Sequence, residues 1–251
     1  MRPVFTEEDH KYTCPQTRLV YVSTTTLLGQ YKPQKDWNLI AEKYAKKNGQ
    51  TKEYWIAEWK KTTVEACEKG SDYHARKELE DLNTEVHQVN GRLLSLGANT
   101  DGVQDLYSLP DGVYVEMLLW NDHFKIAGKA DKVIIETVNG VRYIEILDYK
   151  TSKEIVDYNY IRYDGLRVTS EKLLAPLDNV TDCNYNVYQL QLNVYAWMLI
   201  QFGFVLRGGC IIHVKDVADS SKDEFHPLLN MQREVDALMV DRHRKLRLQA
   251  A

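Results

Sequence analysis

The sequence predicts an α/β fold in which a central mixed β-sheet is flanked by helices. Two observations carry this prediction. Three strand patterns follow one another in the middle of the chain, at residues 113–120, 124–137 and 141–151. Helical patterns lie on both sides of them, at residues 36–48, 52–88, 184–202 and 230–248. Strands placed among helices in this way are typical of the α/β class.

The first part of the chain gives weaker signals. Residues 2–28 predict a short hairpin that leads toward a helix. In the pattern 52–88, Trp55 and Trp59 stand four positions apart, with charged residues on the other faces, as in an amphipathic helix. Residues 90–112 contain many Gly, Asn and Asp residues and are predicted to form a loop.

The second part contains one long polar stretch. Residues 152–183 are polar and irregular, and they separate the third strand from the helix at 184–202. Residues 208–214 predict a further short strand. No Pro- or Ser-rich linker divides the chain, so we expect a single domain over residues 1–251 with an N-terminal hairpin and helical extension.

Composition limits the function classes. The chain has 251 residues, of which 44% are hydrophobic, and a formal net charge of -4, which argues against coating nucleic acid by bulk charge but not against a local basic track. Its four cysteines form no CxxC pair, which argues against a structural zinc site or a disulfide framework. The N-terminus lacks an apolar signal region and no apolar run is long enough to span a membrane, so we expect a cytoplasmic protein.

The dipeptide Asn139-Gly140 predicts a tight turn between the second and third strands, because Asn-Gly is the strongest local signal for a two-residue hairpin loop. In that register Val138 faces Val141, and each step outward pairs the next residues. Asp131 then faces Asp148. Opposed side chains have Cβ atoms about 4.5–5.5 Å apart.

The same register places Lys150 on the face that carries the two aspartates, since side chains alternate with a period of two. Two ionised carboxylates so close repel each other, and a divalent cation between them relieves the repulsion. Oxygen ligands of this kind suit Mg²⁺ or Mn²⁺. The alternative is a solvated acidic pair at a frayed strand end, with Lys150 as an ion-pair partner.

At these residues the sequence resembles the PD-(D/E)XK nucleases, and within them the RecB-like exonucleases. The run Asp148-Tyr149-Lys150 matches (D/E)-x-K, and the run from Gly128 to Asp131 matches the G-x-x-D form of that branch, with Ala130 in the place of the proline. The resemblance implies a restriction-endonuclease-like core.

Two further motifs resemble that branch. Gly70 and His74 match G-x-x-x-H, whose histidine is a metal ligand in the family; the alternative is a surface contact from His74 to Glu78. Gln191 and Tyr195 match the Q-x-x-x-Y helix that lines the family's site; the alternative for Tyr195 is packing in the core.

Glu116 matches a glutamate often found on the strand before G-x-x-D, where it binds the metal through water or orients a ligand; a cross-strand ion pair is the alternative. Some relatives hold an iron–sulfur cluster, but Cys183 and Cys210 lack the clustered spacing, so we expect none. Other segments look like nucleases of tailed bacteriophages, which would place the protein in the host cytoplasm.

The resemblance implies hydrolysis of DNA phosphodiester bonds. His74, Asp131, Asp148 and the carbonyl of Tyr149 would hold one or two Mg²⁺ or Mn²⁺ ions, and Lys150 would position or activate the attacking water. The leading expectation is a DNA exonuclease of phage replication or recombination, with a single-strand-binding or recombination protein as a candidate partner. An endonuclease, a flap nuclease and a non-catalytic nucleic-acid-binding module remain alternatives, and the oligomeric state is open.

Candidate DNA contacts are basic runs on the helices and the segment 152–183. The basic residues are Lys43, Lys46, Lys47, Lys60, Lys61, Arg242, Arg244, Lys245 and Arg247, each of which also fits an ordinary solvated helix face. The segment interleaves aromatic and arginine residues that can stack on bases and hold phosphates. These residues are Tyr158, Tyr160, Arg162, Tyr163 and Arg167. The alternative for the segment is a structural excursion without contacts.

Overall fold

The computed structural model describes residues 2–6, 9, 11–89, 91–98, 100, 105–158, 161–164 and 167–249, with the backbone alone at 161–164 and 167–169. The strands are β1 (Val4–Thr6), β2 (Lys11–Thr13), β3 (Val20–Ser23), β4 (Val86–Val89), β5 (Arg92–Ser95), β6 (Gly112–Asn121), β7 (Ile126–Val138), β8 (Val141–Lys150), β9 (Ile161–Asp164), β10 (Arg167–Ser170), β11 (Val205–His213) and β12 (Glu224–Pro227). The α-helices are α1 (Thr24–Gly29), α2 (Trp37–Asn48), α3 (Lys52–Leu82), α4 (Asn184–Ile200) and α5 (Gln232–Gln249).

The predicted α/β class with a central mixed sheet is confirmed. Within the described residues, eight strands form this sheet in the order β1-β2-β3-β7-β8-β11-β12, and β6 also pairs with β7. The β3–β7 and β8–β11 pairs are parallel, whereas β7 pairs antiparallel with both β6 and β8. Helices pack against this sheet, and the hairpins β4–β5 and β9–β10 form separate two-stranded sheets, of which the first contacts β6.

One edge of β7 is shared by two different strands. Strand β6 pairs with β7 from Ile126 to Ile135 and so occupies the other edge over this length. Strand β3 therefore pairs at the start of the shared edge, at Ile126 and Ala127, and β8 pairs farther along it, from Lys132 onward. Residues 128–131 lie between the two partners without a strand pair on that edge. The G-x-x-D stretch is thus located in a gap of the sheet.

The β7–β8 hairpin follows the predicted register. Asn139 and Gly140 have φ values of 51° and 78°, as a type I′ turn requires, and Val138 pairs with Val141. The ladder continues to the pair Lys132–Leu147 and stops one step before Asp131 and Asp148. Strand β8 goes on beyond this point because it remains paired with β11 as far as Lys150.

Both faces of the sheet are covered. The face that carries Val133 and Ile146 packs into the main core together with α4, which is buried along its length from Gln189 to Leu199. A smaller cluster lies on the other face and contains Tyr73 of α3 and Tyr149 of β8. None of the helices among the described residues is both long and apolar enough to cross a lipid bilayer.

Several predicted boundaries were wrong. Helix α3 ends at Leu82 instead of residue 88, and the following residues form the hairpin β4–β5, in which Val89 pairs with Arg92. The Asn-Gly dipeptide at residues 90–91 carries the same turn signal as residues 139–140, and Gly91 has a φ of 77°. The predicted loop 90–112 therefore contains a strand.

Two other segments differ from expectation. The polar segment 152–183 contains the hairpin β9–β10. The N-terminal region forms two successive hairpins rather than one, and β3 joins β7 in parallel. This region is consequently part of the central sheet and not an extension of it.

Candidate metal centre

Asp131 lies where the β7–β8 ladder opens. Its Oδ2 accepts a hydrogen bond of 2.7 Å from the backbone N–H of Tyr149. The Asp131 side chain thus takes the place of a backbone hydrogen-bond partner. It holds β7 and β8 together at the point where their ladder ends. The backbone of Tyr149 is therefore fixed directly beside the first aspartate.

Helix α3 brings His74 to Asp131. Its Nδ1 lies 3.3 Å from Asp131 Oδ2. One turn earlier, Gly70 allows a close approach to β8, because a Cβ at that position would lie 3.3 Å from Thr151 Oγ1. Burial lowers the pKa of His74, but the hydrogen bond to Asp131 and the charges of Asp131 and Asp148 outweigh it, so the pKa is raised.

Glu116 of β6 lies across from Asp131, since the neighbouring pairs are Val115–Lys132 and Met117–Ala130. Its φ of 49° is in the left-handed region, which is unfavourable for a residue with a side chain, and strained residues of this kind cluster at functional sites. Burial and the nearby charge of Asp131 raise the pKa of Glu116 to about 7. Ligand atoms of His74, Glu116 and Asp131 all lie within 4.8 Å of one another.

The alternative interpretation of Glu116 is also realised in the structure, because Lys129 Nζ lies 3.7 Å from Glu116 Oε2. An ion pair at this length does not remove the carboxylate from the cluster. Glu116 also lines a cavity of ≈ 830 Å³ that Lys129 and Glu78 share. The cluster is therefore open to molecules from solvent on this side.

Asp148 is the most enclosed carboxylate of the group, with 1% of its surface exposed. Burial and the charge of Asp131 raise its pKa to about 6, against the opposing effect of Lys150. Lys150 Nζ lies 2.5 Å from Asp148 Oδ2, so the ammonium compensates the buried carboxylate in this structure. A buried charge is tolerated only with a partner of this kind.

Lys150 is enclosed by Asp148 and by the ring of Tyr188, whose centroid lies 4.9 Å from Nζ. Burial lowers the pKa of Lys150, but the charges of Asp148 and Asp131 outweigh it, and the pKa is raised. The amine is therefore charged at neutral pH. Tyr188 was not predicted, although it precedes Gln191 by three positions and so lies on the same face of α4.

Gln191 and Tyr195 are brought together behind the strands. Gln191 Nε2 donates a hydrogen bond of 3.0 Å to Tyr195 Oη, and both side chains are buried. A Cβ at position 128 would lie 2.6 Å from the Tyr195 ring, so Gly128 is required for α4 to approach β7 this closely. The structure thus buries Tyr195 in the core, and a role of the pair in the site stays a prediction.

These residues fit a hard divalent cation. His74, Glu116 and Asp131 offer one nitrogen and two carboxylate ligands within reach of one ion. Asp148 lies outside this group of three and is paired with Lys150. Carboxylate oxygens suit Mg²⁺ and Mn²⁺, and an imidazole is accepted by Mn²⁺. The chain's four cysteines are free thiols.

Part of the predicted substrate segment lies outside the described residues. This applies to Tyr160 and to the side chains of Arg162, Tyr163 and Arg167. Tyr158 is described and is 60% exposed.

Three of the predicted basic residues of α5 have partners within the protein. Arg242 Nε donates a hydrogen bond of 3.0 Å to the carbonyl of Phe124, and Arg244 and Lys245 form ion pairs with Asp241. A role of α5 in DNA binding stays a prediction.

A scan against protein-family models and a search of curated proteins each gave no match to this chain. The resemblance described above therefore depends on the motif residues alone.

Proposed function

We propose that the protein is a Mg²⁺- or Mn²⁺-dependent nuclease that hydrolyses DNA phosphodiester bonds, with exonuclease activity as the leading form. One observation carries the proposal: the G-x-x-D and (D/E)-x-K residues meet at the gap in the sheet, with Asp131 beside His74 and Asp148 beside Lys150. The alternative of an acidic pair at a frayed strand end is disfavoured by the burial of Asp148.

The residues divide into two groups with different chemistry. His74, Glu116, Asp131 and Asp148 would hold the cation, which polarises a phosphate and lowers the pKa of a bound water. Lys150, kept charged by the two aspartates, would orient that water and stabilise the negative charge that develops on the phosphate oxygens. The raised pKa of Lys150 favours this electrostatic role over proton abstraction.

A surface near the start of α2 could hold the nucleic acid. Trp37 is 59% exposed and lines a pocket of ≈ 470 Å³ with Tyr158, Lys32 and Lys35. Exposed aromatic rings beside lysines are suited to stack on bases and to contact phosphates. The pocket also includes Val156 of the segment that follows Lys150, which connects it along the chain to the candidate centre.

The test is a time course with Mg²⁺ or Mn²⁺ on DNA labelled at the 5′ or 3′ end, single- or double-stranded, with a closed circle in parallel. We expect mononucleotides or short products from linear DNA and an intact circle. Cleavage of the circle would instead indicate an endonuclease. No cleavage of any substrate by a protein that binds Mn²⁺ would contradict the proposal and favour a binding module.

A further inference from the structure

A second group of metal-ligating side chains lies on the edge hairpin formed by β11 and β12. The register pairs His213 with Glu224 and Ile211 with His226. Since side chains alternate with a period of two, His213, Glu224 and His226 project from the same face. Ligand atoms of these three residues lie within 4.8 Å of one another.

Hydrogen bonding determines which nitrogen of His213 is available. Its ring is fully buried, and Nε2 lies 2.7 Å from the carbonyl oxygen of Ser152, which can only accept a hydrogen bond. Nε2 therefore carries the proton. In the neutral ring Nδ1 then presents a lone pair, and it lies 3.2 Å from Glu224 Oε2, which is also an acceptor. Either a proton on Nδ1 or a metal ion bound by both atoms satisfies this contact.

His226 supplies a third possible ligand, a ring nitrogen. Its Nε2 is enclosed and has no hydrogen-bond partner among the described residues. Its ring lies between Tyr185, at 5.8 Å, and His213, at 6.2 Å, measured between ring centroids. A buried imidazole nitrogen without a partner is uncommon unless an ion or a water completes it.

We propose that His213, Glu224 and His226 bind one Zn²⁺ ion at a site separate from the candidate centre. Two imidazoles and one carboxylate are a set that Zn²⁺ prefers, and they leave a fourth position for water or a partner ligand. The bond from His213 Nε2 to Ser152 is the outer contact that orients a metal-bound histidine. The oxygen-rich first site, in contrast, suits Mg²⁺ or Mn²⁺.

The ion would link β11 and β12 to the segment that follows β8. β12 is the edge strand and is joined to the sheet through β11 alone. Ser152 follows Lys150 by two residues, and the backbone N–H of Val214 donates a hydrogen bond of 2.9 Å to the Lys150 carbonyl. A Zn²⁺ ion here would therefore stabilise the edge and the end of β8 together.

The experiment compares Zn²⁺ and Co²⁺ binding by the full chain with that of three variants. Glu224→Gln and His226→Gln alter ligands that are not fully buried, so the fold is expected to persist. His243→Gln is the control, because it removes the separate imidazole pair in which His123 Nε2 and His243 Nδ1 lie 2.9 Å apart. Asp131→Asn tests independence from the first site.

We expect one tightly bound Zn²⁺ per chain after dialysis, measured by mass spectrometry of the metal. Co²⁺ should show the visible absorption of a site with nitrogen ligands, and Zn²⁺ should raise the melting temperature. Glu224→Gln and His226→Gln should weaken Zn²⁺ binding at least about 10-fold and abolish the thermal shift. The control and Asp131→Asn should retain both.

The opposite results overturn the proposal. A chain that binds no Zn²⁺ in this assay would show that a proton on His213, paired with Glu224, fills the site. Binding that persists in His226→Gln, or disappears in His243→Gln or Asp131→Asn, would place the ion elsewhere.

Discussion

Lys150 Nζ lies 2.5 Å from Asp148 Oδ2, and both side chains project from the same face of β8. Two charges withdrawn from water are each costly to bury alone, so each requires the other. Asp148 is the predicted metal ligand and Lys150 the predicted catalytic amine. A substitution at either position therefore also removes the charge partner of the other.

Replacement of Lys150 should separate metal binding from turnover. Lys150→Met leaves the carboxylates in place, so Mn²⁺ affinity measured by calorimetry should not be reduced. Hydrolysis should fall about 10²–10⁴-fold, as for the loss of a positioned catalytic group. Lys153→Met, an exposed lysine three residues farther along, is the matched control. Unchanged hydrolysis in Lys150→Met would contradict the assigned role.

Replacement of Asp131 should remove metal and activity together. Asp131→Asn deletes a charge beside His74 and weakens the acceptor for the Tyr149 amide. We expect Mn²⁺ affinity to fall more than about 100-fold, because an outer contact alone is worth about 10–100-fold. The exposed Asp178→Asn serves as the control. Calorimetry measures the Mn²⁺ affinity, and the DNA assay measures hydrolysis on the same samples. A variant that keeps its full Mn²⁺ affinity would rule out Asp131 as a ligand.

Gly128→Ala should destabilise the protein. The added Cβ would meet the Tyr195 ring at 2.6 Å in a packed core, and overpacking of this kind costs about 1–3 kcal/mol. Urea denaturation measures the free energy of unfolding. Gly208→Ala is the control within a strand, since a Cβ there meets nothing within 4 Å. Equal stability of the two variants would show that α4 can move away from β7.

Ionisation of Glu116 should make the free energy of unfolding depend on pH when divalent cations are removed by a chelator. Burial raises its folded pKa to about 7 from an ordinary 4.5, so the folded state holds this proton more tightly than the unfolded state. Its ionisation therefore costs stability progressively as pH rises from 4.5 to 7. Glu116→Gln should melt at a higher temperature than the natural chain by a margin that widens over this range. A margin independent of pH would contradict the shifted pKa.

Trp37→Ala should weaken binding of single-stranded DNA without affecting Mn²⁺ affinity. Loss of one stacking contact is worth about 1–3 kcal/mol, which fluorescence anisotropy with a labelled oligonucleotide detects. Val240→Ala, on an exposed position of α5, is the control. An unchanged DNA affinity would exclude the surface around Trp37 as the nucleic-acid-binding surface.

The sequence predicts the pairing of β7 with β8 better than it predicts the surrounding elements. The Asn139-Gly140 turn fixes the pairing of β7 with β8, because a two-residue loop allows one register, and the pairing is as expected down to Lys132–Leu147. His74, by contrast, reaches Asp131 through a helix distant in sequence, and only the resemblance indicated that contact.

Other features have no local signal. The positive φ of Glu116 and the separation of β7 from β8 depend on tertiary contacts that no short pattern encodes. The end of α3 and the β4–β5 hairpin did have a signal, the Asn-Gly dipeptide at residues 90–91, which was outweighed by the helical pattern before it.

The shared edge of β7 has a consequence for shortened forms of this protein. β3 closes one end of the gap at residues 128–131, and Thr24 of α1 donates from Oγ1 to the Ala127 carbonyl at 3.4 Å. A fragment that starts at α2 would keep the acidic residues of the centre and the Lys150 amine. It would lose β3, which bounds the gap, and α1, which contacts the chain next to Gly128. If the proposed nuclease activity is present, we therefore expect the smallest active fragment to begin before β3.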